Sequence, residues 1–222
     1  MPTLYSYKES GNSYKVHLLA ALLKIPLDVV EIDFITDEQH TPAFLNINPK
    51  GEVPTLADGN LVLTDSAAIL VYLAGKSKSK YWSTDVAEQA LIASWLAFAA
   101  SWVQYGVFTA RAVLSFGGPY NGLGRNADTT NSITAQRLKD GQVRGEKSLQ
   151  VLDQHLGKPG REWLELERPT IADISVFVYV ALAPMGDVSL EPFSNVRRWI
   201  EAIKRLPGFK PIAGLDDPSY RR

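Results

Sequence analysis

The hydrophobic pattern of this chain opens with short apolar runs set between turn residues. After about Gly75 it changes to long stretches of helical period. Leu4 to Tyr7 reads as a strand, closed by the turn-forming Ser10-Gly11-Asn12-Ser13. From Tyr14, the spacing of Val16, Leu19, Ala20 and Leu23 predicts a helix that ends at Lys24, shortly before Pro26. Leu27 to Asp33, β-branched and apolar-rich, is a second strand; strand, helix, strand implies a right-handed crossover between parallel strands. Pro42 to Asn48 is a short helix or irregular turn. Val53 to Leu56 and Leu61 to Leu63 flank Asp58-Gly59-Asn60, a hairpin signal. A further helix begins near Thr64-Asp65-Ser66 and carries Ile69, Leu70, Tyr72 and Leu73 on one face. A βαβ unit followed by ββα is the order of a thioredoxin-like domain.

Lys76 to Thr84 is polar and reads as a connector. Beyond it, Val86 to Phe116 and Thr129 to Leu156 have long helical patterns, joined by the glycine- and asparagine-rich Gly117 to Asn126. Pro169 to Ala183 and Phe193 to Leu206 add two helices. The expected fold class is α/β plus all-α. Residues 1–76 form an N-terminal thioredoxin-like domain, 77–84 a linker, and 85–222 a C-terminal helical bundle.

Composition narrows the chemistry. With 222 residues, 45% hydrophobic and 21% charged, the chain can bury a sizeable core. A formal net charge of -1 gives no field to draw it to phosphate backbones or anionic lipid, so neither a nucleic-acid nor a membrane partner is expected. Lys76, Lys78 and Lys80, spaced by serines, fit a solvated connector. The start, Met1-Pro2-Thr3-Leu4, lacks the basic and apolar regions of a secretory signal. The apolar stretch from Leu91 to Val103, broken by Ser94 and Ser101, is too short to span a bilayer, and a cytoplasmic location is expected. Cysteine is absent, which excludes disulfides, thiolate metal sites and a cysteine nucleophile. No carboxylate-rich motif surrounds His17, His40 or His155, so no metal is expected.

Three local features carry candidate chemistry. Ser10 to Val16 opens a helix directly after the first strand, and a helix start offers unpaired N–H groups and partial positive charge. Both favour a thiolate over a thiol. Lowering a thiol pKa of about 8.5 by two units requires roughly 2.7 kcal/mol of preferential thiolate stabilisation. One hydrogen bond to a charged acceptor contributes about 1.5–3 kcal/mol, so a hydroxyl or amide donor plus the helix end suffices. The simpler reading is that Ser10, Asn12 or Ser13 caps the helix. Val53-Pro54 is the second feature: a cis bond there would present the Val53 backbone to an extended peptide as a strand edge does. The third is Thr64 to Ile69, where Ser66 at a helix start could hold a carboxylate and Asp65 an ammonium; capping again competes.

In this order and spacing, the three features resemble those of a cytosolic glutathione transferase. The resemblance covers nearly all of the chain. It rests on Ser10 to Val16, on Asn48-Pro49-Lys50-Gly51-Glu52-Val53-Pro54-Thr55-Leu56, on Asp65-Ser66 with Ala68-Ile69, and on Thr170-Ile171-Ala172-Asp173 in the second domain. It implies glutathione as co-substrate and no metal. Ser10 matches the serine that donates to the glutathione sulfur in serine-type members. Asn12 stands where some fungal and bacterial relatives, including the nu class, place an asparagine near that sulfur, so either residue can be the donor. Val53 would pair with the cysteinyl backbone, Pro54 would be cis, and Asp65 and Ser66 would hold the γ-glutamyl end. His40 and Lys50 lie where basic side chains meet the glycyl carboxylate. Glu52, where relatives carry glutamine or lysine, receives no role. Tyr5 and Tyr7 resemble the tyrosine of other members but fit strand residues better. Thr170 and Asp173 match the family's helix-capping motif, a structural task.

The family places the electrophile between its domains, against the first long helix of the bundle. There Trp95, Phe98, Trp102 and Tyr105 form one aromatic stripe, part of which must pack the core. Trp102, Tyr105, Phe108 and Arg111 are the candidates for a hydrophobic co-substrate pocket. The expected activity is a detoxifying transferase that activates glutathione as a thiolate, for conjugation to hydrophobic electrophiles or as a glutathione peroxidase. Nu-like disulfide reduction and a low-turnover ligand-binding regulatory module are the alternatives. Ser10 and Ile25 to Asp33 also resemble the zeta class, but Gly11-Asn12 replaces its serine-cysteine pair and weakens an isomerase reading. The resemblance further implies a homodimer.

Overall fold

The computed structural model describes residues 1–116 and 131–220. The Gly117 to Asn126 connection and the beginning of the Thr129 to Leu156 pattern lie outside the described residues. The chain separates into two compact units. The first is Met1–Ser83 together with Pro207–Ile212, and the second is Thr84–Leu206 with the segment that begins at Ala213.

The first unit is built on a four-stranded sheet of order β2-β1-β3-β4, from β1 (Thr3–Ser6), β2 (Asp28–Glu31), β3 (Thr55–Asp58) and β4 (Leu61–Leu63). β2 runs parallel to β1, with Tyr5 opposite Val30, as the crossover reading requires. β3 runs antiparallel to β1, with Tyr5 opposite Thr55, and β4 antiparallel to β3, with Leu56 opposite Leu63. Gly59, at φ +61, turns the hairpin, a conformation that glycine adopts without a Cβ penalty. β2 is shorter than the sequence pattern suggests and exposed at all four positions, as suits an edge strand.

Helices α1 (Gly11–Leu23), α2 (Pro42–Leu45) and α3 (Ser66–Lys76) complete this unit. α1 ends because Lys24 turns into the left-handed region, φ 56, and its N–H returns to Ala20 and Ala21 carbonyls. Leu4, Leu18, Leu19, Leu56, Ile69, Leu70 and Leu73 make the core, each burial contributing about 1.5–3 kcal/mol. Pro207–Ile212 returns to this unit late in the chain. The Tyr14 hydroxyl donates to the Lys210 carbonyl at 2.5 Å, and burial pushes that phenol's pKa up. Gly208, at φ +97, lies so close that a Cβ would stand 3.0 Å from the Ala21 carbonyl oxygen. Nothing in the hydrophobic pattern marked this return.

The second unit is helical. α4 (Val86–Phe98) runs into a π-helical segment, Ala99–Phe108, and then into α5 (Thr109–Phe116). α6 (Asn131–Leu156), α7 (Ile171–Ala181) and α8 (Ser194–Lys204) follow. The π segment breaks at Gly106, φ -107 and ψ -108. Gly106 faces Gly145 of α6 so closely that a Cβ would sit 2.9 Å from the Gly145 backbone. Two glycines therefore set the approach of these helices. The 30-residue run Val86–Ser115 is long and apolar enough, by length and composition, to cross a membrane. The limit drawn from Leu91 to Val103 therefore understated it, because the helical run continues through Ser94 and Ser101. Their hydroxyls instead donate back to the carbonyls of Leu91 and Ala97.

α7 is buried along its whole length, with a side chain that satisfies its amino end. The Thr170 hydroxyl accepts from the Ala172 N–H at 3.2 Å, while Asp173 Oδ2 accepts from the Thr170 N–H at 2.8 Å and hydroxyl at 3.3 Å. Asp173 Oδ1 accepts from the Leu164 N–H at 3.0 Å and the Trp199 indole N–H at 2.9 Å. One buried carboxylate thus ties α7 to α8 and to the chain before it.

Candidate functional site

The topology of the first unit gathers the candidates at one end of the sheet. That end holds the C-terminus of β1, the N-terminus of β3 and the C-terminus of β4, since β3 is antiparallel to both neighbours. Ser10 and Asn12 follow β1, Val53 and Pro54 precede β3, and Asp65 and Ser66 follow β4. β2, parallel to β1, ends there too and delivers the chain toward His40 and Lys50.

Each candidate has a definite local setting. Ser10 is the N-cap of α1, and its Oγ accepts from the Ser13 N–H at 3.1 Å. Capping thus occupies a lone pair, while the hydroxyl proton stays a donor in its own right. Asn12 lies in the first turn of α1, where its Oδ1 accepts from Lys15 Nζ at 2.9 Å. The Val53-Pro54 bond is cis, as the resemblance implied. Buried Asn48 fixes the loop before it, donating from Nδ2 to the Glu52 carbonyl at 2.8 Å and to Thr55 Oγ1 at 3.0 Å. Asp65 caps α3, with Oδ1 accepting from Ala67 N–H at 2.8 Å and Ala68 N–H at 3.3 Å, and Ser66 opens that helix. His40 is exposed, with its Nδ1 2.8 Å from Asp37 Oδ1 and 3.4 Å from Gln39 Nε2. Its ring lies over Gly51, where a Cβ would come within 2.8 Å of it, beside exposed Lys50.

Tyr5 lies in β1, and Tyr7 lies just past its end. The Tyr7 hydroxyl donates to Glu9 Oε2 at 3.2 Å while its ring stacks on Phe34 at 4.8 Å, so this phenol is built into the unit. Two buried charges went unnoticed in the sequence, Glu9 and Lys15. Lys15 is only 4% exposed. Burial pulls its pKa down from 10.5 to about 8, partly opposed by the negative charge of Asp65. Its position in α1, three residues after Asn12, was the available signal, because side chains at that spacing meet.

Lys15 gives this unit a pH dependence of definite sign. The unfolded chain holds the lysine proton more tightly, so between about pH 8 and 10.5 it binds more protons and this group's contribution to stability rises with pH. Lys15→Met removes the contribution and, as an apolar replacement of a buried charge, is expected to fold. Urea unfolding should show the wild type gaining about 2 kcal/mol on this variant between about pH 7 and 9.5. A pH-independent difference would contradict a lysine buried in charged form.

In the second unit, Trp102 and Tyr105 are exposed, Tyr105 at 64%, and the Arg144 guanidinium lies over both rings, 5.1 and 5.9 Å from their centres. Phe108 meets Tyr179 edge-on at 4.7 Å. Arg111 differs from these three. It is 3% exposed and directs Nε at Met185 Sδ, 3.4 Å away, inside the unit's core. Trp95, also buried, donates its indole N–H to Glu165 Oε1 at 2.7 Å, so the aromatic stripe divides into core and surface members. Among the described residues no group of His, Cys, Asp and Glu is arranged to hold a metal.

Known families match both units. Residues 2–75 match the glutathione S-transferase N-terminal domain and residues 128–211 the glutathione S-transferase C-terminal domain. Glutathione S-transferase verG of Clonostachys rogersoniana is 30% identical over 224 residues, which cover 92% of this chain and 84% of that protein. The chain belongs to the glutathione transferase family. Protein URE2 of Meyerozyma guilliermondii is 36% identical over 107 residues, 45% of this chain, and the match spans about a third of its length, 36%. Among glutathione transferase structures, a possible member from Rhodopseudomonas palustris superposes with TM-score 0.83 at 32% identity, covering 95% of this chain and 97% of its own. A member from Pseudomonas fluorescens, with two glutathione bound, gives 0.77 at 27% identity, covering 93% and 89%.

Proposed function

We propose that this glutathione transferase binds glutathione on its first unit as a thiolate and delivers the sulfur to a hydrophobic electrophile. The observation that carries the reading is the convergence of three recognition elements at one end of the sheet: the head of α1, the Val53 backbone before cis Pro54, and the head of α3. The Ser10 hydroxyl and the Asn12 Nδ2 donate to the sulfur. Val53 pairs with the cysteinyl backbone, Asp65 takes the γ-glutamyl ammonium, and Ser66 takes its carboxylate at a helix start. His40 and Lys50 face the glycyl carboxylate. Donors aimed at a forming thiolate lower its pKa, and holding sulfur beside the electrophile supplies proximity. In conjugation the sulfur lone pair forms the new carbon–sulfur bond while a leaving group departs, or an activated double bond takes up the sulfur and then a proton. In peroxide reduction two glutathiones supply two electrons, giving alcohol, water and glutathione disulfide.

The exposed Trp102 and Tyr105, with Phe108, are the co-substrate candidates on the second unit; Arg111, buried in the core, is not among them. Membership of the family supports a homodimer, for which sedimentation should give twice 24.5 kDa. A reducing cytoplasm, where glutathione is abundant as the thiol, suits the activity.

Two observations keep other readings in view. The two glutathiones of the Pseudomonas fluorescens relative suit disulfide reduction. The likeness to URE2 suits a binding module with little turnover. The test is calorimetric titration with glutathione and S-hexylglutathione, followed by an aryl halide, an organic hydroperoxide and a mixed disulfide as co-substrates. Binding with turnover of the halide or hydroperoxide is expected. Turnover of the disulfide alone selects the reductase, binding without turnover the module, and no binding overturns the reading.

A further inference from the structure

Lys15 is a buried side chain that joins two of the proposed glutathione contacts. Its Nζ donates to Asn12 Oδ1 at 2.9 Å, and the charge of Asp65 acts on it from the head of α3. An ammonium has three donors and no acceptor, so a carboxamide facing it must present its oxygen. The Asn12 side chain is therefore not free to turn over. With Oδ1 held by Lys15, which is 4% exposed, the Nδ2 of half-buried Asn12, at the other corner of the planar carboxamide, is the end left to meet a ligand. That orientation makes Asn12 a donor to an anion. The reverse orientation would set a carbonyl oxygen against the thiolate and repel it.

We infer that Lys15 is a positioning residue that fixes the Asn12 carboxamide as a hydrogen-bond donor to the glutathione sulfur. The inference rests on the glutathione-thiolate reading above and deepens it, because it selects Asn12 as an oriented donor alongside Ser10. Lys15 acts through Asn12 and touches no part of the ligand. Its influence on Asp65 works in the other direction: removing a positive charge near that carboxylate leaves the ammonium end of glutathione no less well held.

The test is a double-mutant cycle read by the thiolate absorbance of bound glutathione against pH, with the dissociation constant measured alongside. Lys15→Met should raise the thiol pKa of bound glutathione by about one unit, as Asn12→Ala does, leaving about three- to tenfold less thiolate at neutral pH. Affinity for S-hexylglutathione, which has no thiol to ionise, should not weaken, a split that general damage to the fold would not produce. Lys15→Arg, also a donor without an acceptor, should restore most of the thiolate. In the Asn12→Ala background, Lys15→Met should change the thiolate fraction by less than about twofold. If Lys15→Met does not yield folded protein, Lys15→Gln, whose amide can present either face, carries the same comparison. Should the wild type bind glutathione without lowering its thiol pKa below about 8.5, the reading of the sulfur site itself fails. A wild type that lowers it, with Lys15→Met equal to wild type or equally damaging with and without Asn12, overturns the role of Lys15 alone.

Discussion

Asp173→Ala is expected to destabilise the protein by about 3–5 kcal/mol, a large share of the roughly 5–15 kcal/mol that holds a domain of this kind together. The cause is the number of donors it abandons. Its two oxygens accept from the Thr170 N–H and hydroxyl, the Leu164 N–H and the Trp199 indole N–H, all in the buried interior of the helical unit. Each buried donor left without an acceptor costs about 1–3 kcal/mol, and the losses do not add fully because the cavity can admit water. Asp173→Asn keeps one acceptor and places an N–H2 against donors, so it should recover about half of the loss. Urea denaturation followed by tryptophan fluorescence measures both, Trp199 being one of the partners. A loss below about 1 kcal/mol for alanine would show that this carboxylate is dispensable.

The second large effect belongs to the sulfur site. The double replacement of Ser10 and Asn12 by alanine removes both proposed side-chain donors while leaving the amide groups at the head of α1. Each donor to a charged sulfur supplies about 1.5–3 kcal/mol, part of which water returns. The thiol pKa of bound glutathione should therefore rise by about two units, and conjugation at neutral pH should fall by about 10–100-fold. At a pH well above the new value the rate should recover, because the defect lies in ionisation and not in binding. A pH–rate profile checks this directly. An unchanged profile would mean that neither side chain meets the sulfur. Ser10→Ala alone also removes the α1 cap, so its stability should be measured beside its activity; that loss is about 1 kcal/mol.

The parts of this molecule that were legible in its sequence are those decided by neighbours in the chain. Asp58-Gly59-Asn60 predicts a hairpin because glycine alone takes the turn's positive φ without penalty, and the turn forms there. Thr170 and Asp173 are three residues apart, the separation at which a cap and its partner exchange hydrogen bonds, and they do so. At Ser10 and Asp65 the local alternative, capping, is realised in the structure, and it coexists with the roles the resemblance assigns. What escaped was decided by burial, which a one-dimensional pattern does not record. Lys15 reads as an ordinary helix lysine, yet α1 carries it inside. Arg111 reads as a pocket residue beside Phe108, yet it lies within the core. The break in the π-helical segment Ala99–Phe108 falls at Gly106, which lies against Gly145, 39 positions apart in the numbering, and no local period announces such a contact.

Pro207–Ile212 belongs to the unit that starts at Met1. During synthesis, therefore, the amino-terminal body waits for residue 212 to leave the ribosome before its last piece arrives. Until then the Tyr14 hydroxyl lacks the Lys210 carbonyl, and the surface around Ala21 and Leu22 lacks Gly208. The nascent chain must keep the helical unit's sequence in train while its first body stands incomplete, so completion of the two is coupled in time. Expressed by itself, a fragment ending at Ser83 would carry that uncovered patch permanently.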